Sequence, residues 1–151
     1  MDIFILEEHI MNSINSLIIE GNVVKDPHFK TITTGTSLCT FSIAANRFFR
    51  KNGSLDQETS YFDVETWAEL ADICHTRAKK GSPVRIVGRI KQYRWESPEG
   101  DRYSAIRIVA EHVEFKTKAQ VENEVDDLVE DPNVSEEQVA ERMATAEYAV
   151  F

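Results

Sequence analysis

The residues best equipped to bind something lie between 80 and 95. Lys80-Gly81-Ser82-Pro83 leads into Val84-Arg85-Ile86-Val87-Gly88-Arg89-Ile90-Lys91-Gln92-Tyr93-Arg94-Trp95. With the two-residue period of a β-strand, Val84, Ile86, Gly88 and Ile90 share one face, and Arg85, Val87, Arg89, Lys91, Tyr93 and Trp95 share the other. The first face suits a core. The second sets a Tyr and a Trp beside three cations, which a merely solvated strand has no need of. A nucleic-acid backbone calls for cations, and unpaired bases call for flat rings to stack on. The same face also fits a solvated strand whose aromatics cover a neighbour or a subunit contact.

The flanking elements must hold that strand in place. Ser16 to Val24 reads as a strand with a bulge or bend at Gly21. Lys25-Asp26-Pro27-His28 is a turn, and Phe29 to Thr33 a short returning strand. Leu38 to Phe49 is β-rich, with Cys39, Phe41, Ile43 and Ala45 on one face. Lys51-Asn52-Gly53-Ser54 opens a polar loop running to about Glu58. In Ser60 to Trp67 the even positions Phe62, Val64 and Thr66 look inward, and Tyr61, Asp63, Glu65 and Trp67 look outward. Ala68 to Lys80 has no Pro or Gly and sets Leu70, Ile73, Cys74 and Arg77 at helical spacing, with Gly81 as its stop. Ser97-Pro98-Glu99-Gly100-Asp101 is a hairpin turn. Tyr103 to Phe115 is the last strand, with Ile106, Ile108 and Ala110 on one face. The order predicts an all-β, five-stranded barrel of the oligonucleotide-binding type (OB-fold), with one helix between the third and fourth strands and an acidic C-terminal tail. An open five-stranded α+β sheet is the alternative.

The 151 residues fit one domain and a tail. The net charge of -9 is unevenly spread. Residues 11–118 hold 16 of the 17 Lys and Arg against 13 Asp and Glu, a net of +3, whereas residues 119–151 hold one Arg against ten acids. A mildly basic body thus carries an acidic tail. Cys39 and Cys74 have no metal, disulfide or redox spacing, which suits a reducing cytoplasm. No apolar run reaches the roughly 20 residues of a membrane span. Residues 1–10 lack Lys and Arg, do not read as a secretory leader, and form an extension that is dispensable or a short packed segment. Residues 11–118 are the expected domain. Residues 119–151 are the expected mobile or partly helical tail, in which Ser135-Glu136-Glu137-Gln138 is a capping box.

Asn22-Val23-Val24-Lys25-Asp26-Pro27, Phe41-Ser42-Ile43-Ala44, Tyr61-Phe62-Asp63-Val64, Trp67-Ala68-Glu69-Leu70-Ala71, Lys80-Gly81-Ser82 and Gly88-Arg89-Ile90 stand in the order seen in bacterial single-stranded DNA-binding proteins. Residues 11–116 resemble that family, including the start Met11-Asn12-Ser13-Ile14-Asn15. The resemblance implies an OB-fold, a homotetramer, a cytoplasmic, nucleoid-associated location, and sequence-tolerant binding of single-stranded DNA during replication, repair and recombination. It places base-stacking rings at Phe49, Tyr61, Trp67 and Trp95. Phe49 shares parity with the inward Ile43, so Phe48 could take its place. The tail departs from the family pattern. It has no Gly-rich linker, its acids cluster at Glu122 to Glu137, and it ends Tyr148-Ala149-Val150-Phe151 without a Pro. Recruitment of replication and repair proteins through that terminus is therefore in question.

Phosphate neutralisation falls to Arg47, Arg50, Lys51, Lys80, Arg85, Arg89, Lys91, Arg94 and Arg102. The tail acids read as a solvated segment or as a mimic of DNA that occupies the basic face. A catalytic barrel is a second class. His9, His28, His75 and His112 are scattered, and Asp63 with Glu65 is the one conceivable carboxylate pair, so neither an enzyme nor a metal or cofactor is expected. A third class is a primosome-type barrel that acts through protein contacts.

Overall fold

The computed structural model describes residues 12–117, 119–123, 135–138 and 140. The expected extension 1–10, Met11, most of the acidic cluster and the terminal Phe151 lie outside the described residues. The elements are β1 (Leu17–Val23), β2 (His28–Thr31), β3 (Ser37–Lys51), β4 (Ser54–Trp67), α1 (Ala68–Arg77), β5 (Pro83–Glu96) and β6 (Arg102–Phe115).

Five strands close on themselves. β1 pairs antiparallel with β5 from Leu17↔Gly88 to Asn22↔Pro83. It then turns to β3 at Asn22↔Ala44 and Val23↔Ile43. β3 and β4 form one long hairpin from Leu38↔Trp67 to Lys51↔Ser54. β4 meets β6 in a short parallel pairing, Val64↔Ile108 and Glu65↔Val109. β6 returns to β5, so the circuit β1-β5-β6-β4-β3-β1 is a barrel and not an open sheet. β2 lies on β3 outside that circuit. The helix thus follows the third barrel strand, as the strand order predicts.

Closure rests on close backbone approaches. β1 runs unbroken through Gly21, where the sequence suggests a bulge. A Cβ there would lie 2.6 Å from the Ala44 carbonyl oxygen, so only Gly lets β1 reach β3. The register irregularity is in the β5–β6 hairpin: Val87 faces His112 and Gly88 faces Ala110, which leaves Glu111 as the extra residue. Gly88 takes the closest approach, since a Cβ on it would run into the Val109 carbonyl oxygen.

Val23, Cys39, Phe41, Ile43, Val64, Val84, Ile86, Ile108, Ala110 and Val113 fill the interior, and α1 covers it with Ala71, Cys74 and Ala78. The sequence suggests Leu70, Ile73 and Arg77 beside Cys74 for the inward stripe. Ile73 is instead exposed, and the Arg77 guanidinium lies 4.9 Å from the Phe115 ring centroid. Small residues form the contact because they let the helix axis approach the barrel more closely than Leu or Ile would. His75 stacks on Phe29 at 4.2 Å, which ties β2 to the helix. Thr66 Oγ1 donates to the Cys39 carbonyl at 3.0 Å, satisfying a hydroxyl buried among apolar groups.

Only half of each long strand is needed for the barrel. In β5, Val84, Ile86 and Gly88 are buried, and from Arg89 onward most residues are exposed. Ile90 shares their parity yet is 48% exposed, because β5 has by then left the core. β6 mirrors this over residues 102–107, and β4 over 54–63. Phe62, expected inward, is exposed for that reason. Two twisted ribbons therefore project from the barrel.

Gly88→Ala is expected to cost about 1–3 kcal/mol through overpacking against β6. Thermal unfolding should show a Tm lower by about 4–8 °C for each kcal/mol lost. An unchanged Tm would mean that the strands can part there without loss.

Candidate nucleic-acid interface

The β5–β6 ribbon carries two exposed rings, Trp95 and Tyr103. Its turn, Ser97 to Asp101, is closed by Asp101 N–H donating to Ser97 Oγ at 3.2 Å and Ser97 N–H to the Asp101 carbonyl at 2.8 Å. That register sets Trp95 opposite Tyr103. The two rings stack with centroids 5.9 Å apart and planes 21° apart, and Trp95 remains 52% exposed. Arg94, Arg102, Gln92, Glu96 and Ser104 line an open groove beside them of about 660 Å³. Tyr103 was not among the sequence-predicted rings. Its signal is there to find: it stands as far beyond the turn as Trp95 stands before it, so any hairpin on that turn must pair them.

β4 supplies two more rings. Tyr61 is 69% exposed, in a groove of about 300 Å³ with Asn46, Gln57, Thr59 and Lys80. The Lys80 backbone N–H is held by Asp26 Oδ1 at 3.0 Å, which fixes the loop that carries its ammonium. Trp67, six residues further along β4, is half-buried at the junction with α1. Its indole N–H donates to Glu65 Oε1 at 3.3 Å.

Glu65 departs most from expectation. Strand parity sets it outward, yet it is 1% exposed. Its Oε1 also accepts the Tyr93 hydroxyl, and its Oε2 lies 3.8 Å from Arg107 Nη1. Burial, reinforced by the hydrogen bond to Glu65, pushes the Tyr93 phenol above its usual range, so it remains a donor. Lys91 Nζ lies 4.6 Å and the Arg107 guanidinium 5.2 Å from the Tyr93 ring centroid. Such contacts contribute about 0.5–1 kcal/mol at exposed sites. Arg107 also lines a cleft of about 230 Å³ with Lys25, His28, Thr40, Ser42 and Asp63. Arg107 and Lys25 were missed as candidates because no aromatic neighbours them in sequence, and His28, next to Phe29, was weighed only as a catalytic group. The sheet brings Arg107 beside the Tyr93 ring.

Near the tip of β3, Phe48 is buried, at 8% exposure, and Phe49 is half-buried with the Arg47 guanidinium 5.1 Å from its centroid. The parity of Ile43 does not extend to Phe49. Arg47 also pairs with Glu58 at 3.5 Å, and Arg50 with Glu136 of the tail at 2.9 Å. Lys51 ends β3 at the Asn52-Gly53 turn, Arg89 is exposed at the root of the β5 ribbon, and Arg94 bonds Gln92 Oε1 at 3.1 Å. Arg85 is different. Its Nη2 contacts Glu20 Oε1 at 2.5 Å and its Nη1 lies 3.6 Å from Glu114, while Lys116 Nζ joins Glu20 at 3.2 Å. Arg85 belongs to a charge cluster across β1, β5 and β6, and it stands apart from the rings.

A family model, the single-strand binding protein family, matches residues 14–116. The chain belongs to the single-strand binding protein family. A relative named single-stranded DNA-binding protein 2, from Chlorobaculum tepidum, is 35% identical over 125 residues, covering 80% of this chain and 84% of that one. The single-stranded DNA-binding protein of Thermotoga maritima is 34% identical over 84% of this chain and 90% of its own length. Among solved structures, a Plasmodium falciparum SSB in complex with ssDNA superposes with a TM-score of 0.64 at 21% identity, covering 71% of this chain and 98% of that one. That likeness shows the shared fold.

The thiols offer no nucleophile to this family member. Burial pushes Cys74 up to about 11, opposed by a hydrogen bond with Thr66, and burial likewise raises Cys39. Both remain neutral at pH 8. A thiol reagent at pH 8 is therefore expected to modify neither in the folded protein and both in guanidinium. Rapid labelling of the native chain would contradict this placement.

Proposed function

We propose that this chain binds single-stranded DNA without strong sequence preference and protects it during replication, repair and recombination. Trp95, Tyr61, Trp67 and Phe49 stack on bases, with Tyr103 as an added ring. Arg94, Arg102, Lys91, Arg89, Lys80, Arg47, Arg50 and Lys51 neutralise phosphates. Arg85, engaged by Glu20 and Glu114, serves the barrel. The observation that carries this reading is the stacked, exposed Trp95–Tyr103 pair set among Arg94 and Arg102 on a ribbon outside the core. Rings in that setting accept any base, because every base has a π face, and each stacked base contributes about 1–3 kcal/mol. Duplex DNA hides those faces and should bind poorly. The protein binds without catalysing a reaction, assembles as a homotetramer, and works on cytoplasmic, nucleoid DNA.

Residues up to 118 form the binding domain in this reading. The tail from 119 begins on the barrel: Thr117 and Gln120 bond reciprocally as a capping box, and Val121 is buried. The Ser135–Gln138 capping box has the same reciprocal bonds. Glu136 beside Arg50 supports a tail that competes with phosphate for the β3 ribbon.

Trp95→Ala and Trp67→Ala should each weaken binding of oligothymidine by about 5- to 100-fold with the circular dichroism spectrum unchanged. Tryptophan fluorescence titrations at two salt concentrations measure it. A wild-type titration without quenching at saturation would refute stacking. Removing residues 124–151 should leave affinity equal or raise it, most at low salt. A large loss would instead make the tail part of the binding surface.

A further inference from the structure

Glu65 is buried at a cost. A carboxylate removed from water needs several hydrogen bonds to offset its lost hydration, and apolar replacements of such groups are often neutral or stabilising for the fold. Stability alone therefore gives little reason for a Glu at this position. What Glu65 holds is more specific. One oxygen, Oε1, accepts from the indole of Trp67 at the end of β4 and from the phenol of Tyr93 on β5. The other oxygen faces Arg107 of β6. Three strands thus contribute one group each to a single carboxylate, and two of those groups are rings on the proposed binding face.

The rings need such an anchor. Trp67 sits where β4 breaks into α1, it has no side-chain cap on the helix, and the next residue, Ala68, has φ +54, a left-handed conformation unusual for a residue with a Cβ. Tyr93 lies where β5 has left the core, half-buried, with the Lys91 and Arg107 cations over its ring.

We infer that Glu65 is a positioning residue for DNA binding: its carboxylate fixes the Trp67 indole for a base to stack on and holds beside it the Tyr93 ring, over which the Lys91 and Arg107 cations lie ready for the phosphates. This rests on the function proposed above and adds a residue that touches no DNA. The indole donor is used inward, toward Glu65, so Trp67 offers a base its face without a base-specific hydrogen bond.

The test uses the full chain with Trp95→Phe, in which Trp67 is the single tryptophan. Glu65→Val should lower oligothymidine affinity by about 5- to 100-fold, as much as losing a stacked ring, and should reduce quenching of Trp67. Glu65→Gln keeps an oxygen acceptor and should restore both. Trp67→Ala combined with Glu65→Val should be little weaker than Trp67→Ala alone, because the ring that Glu65 positions for stacking is already gone. Parent-like binding by Glu65→Val, or fully additive losses, would overturn the inference while leaving the DNA-binding function intact. Failure of the unmodified chain to bind oligothymidine would overturn both. Should Glu65→Val not fold, the indole proton of Trp67 in the Trp95→Phe chain decides by NMR. Slow solvent exchange in the free and DNA-bound states is expected, and exchange as fast as that of free tryptophan in the complex would refute the anchor.

Discussion

A barrel of five strands can bury only a short stretch of each, and everything on the surface of this protein follows from that limit. β3, β4, β5 and β6 run for 14 or 15 residues. Closure consumes the part near Gly21, Gly88 and the Val64↔Ile108 pairing. What remains must leave the core as two-stranded ribbons. Isolated ribbons of that kind are marginal. Here cross-strand rings and cations laid on aromatic faces hold them, and the same groups are those that a nucleic-acid strand can use. Ribbon stability and ligand recognition draw on one set of side chains.

The core portion of the fold was legible in the sequence because alternation holds wherever a strand has a dry face. Val84 and Ile86, Cys39, Phe41 and Ile43, and Val64 and Thr66 all lie where a two-residue period sets them. Alternation loses its meaning where the dry face ends. Ile90 and Phe62 keep the inward parity and are exposed, while the inward ring at the tip of β3 is Phe48. Gly100 and Asn52-Gly53 adopt the positive φ that their sequences favour, but the polar loop expected to run to about Glu58 is only a two-residue turn, because residues 54–58 pair with β3 and β4 begins at Ser54.

The site was legible ring by ring and illegible as a constellation. Trp95 and Tyr61 stand out as aromatics on polar faces. Apart from Trp67 two residues on, the partners of the inward Glu65 come from β5 and β6 and are brought close by the parallel β4–β6 pairing, which nothing local reveals. Charge was misleading in the same way. Arg85 has the sequence context of a phosphate ligand, but Glu20 and Glu114 arrive beside it from two other strands. Nor does the tail's acidity disclose that the tail starts with a capped, packed turn at Thr117.

The β5–β6 ribbon is anchored at one end by Gly88 and free at the other, with Trp95 near its tip. Insertion or deletion of two facing residue pairs there would slide its outermost ring by about 7 Å along the ribbon and keep it on the same face while the barrel interior stayed as it is. The length of this hairpin is thus a vernier: changing it resets the spacing between stacking sites without repacking a single interior side chain.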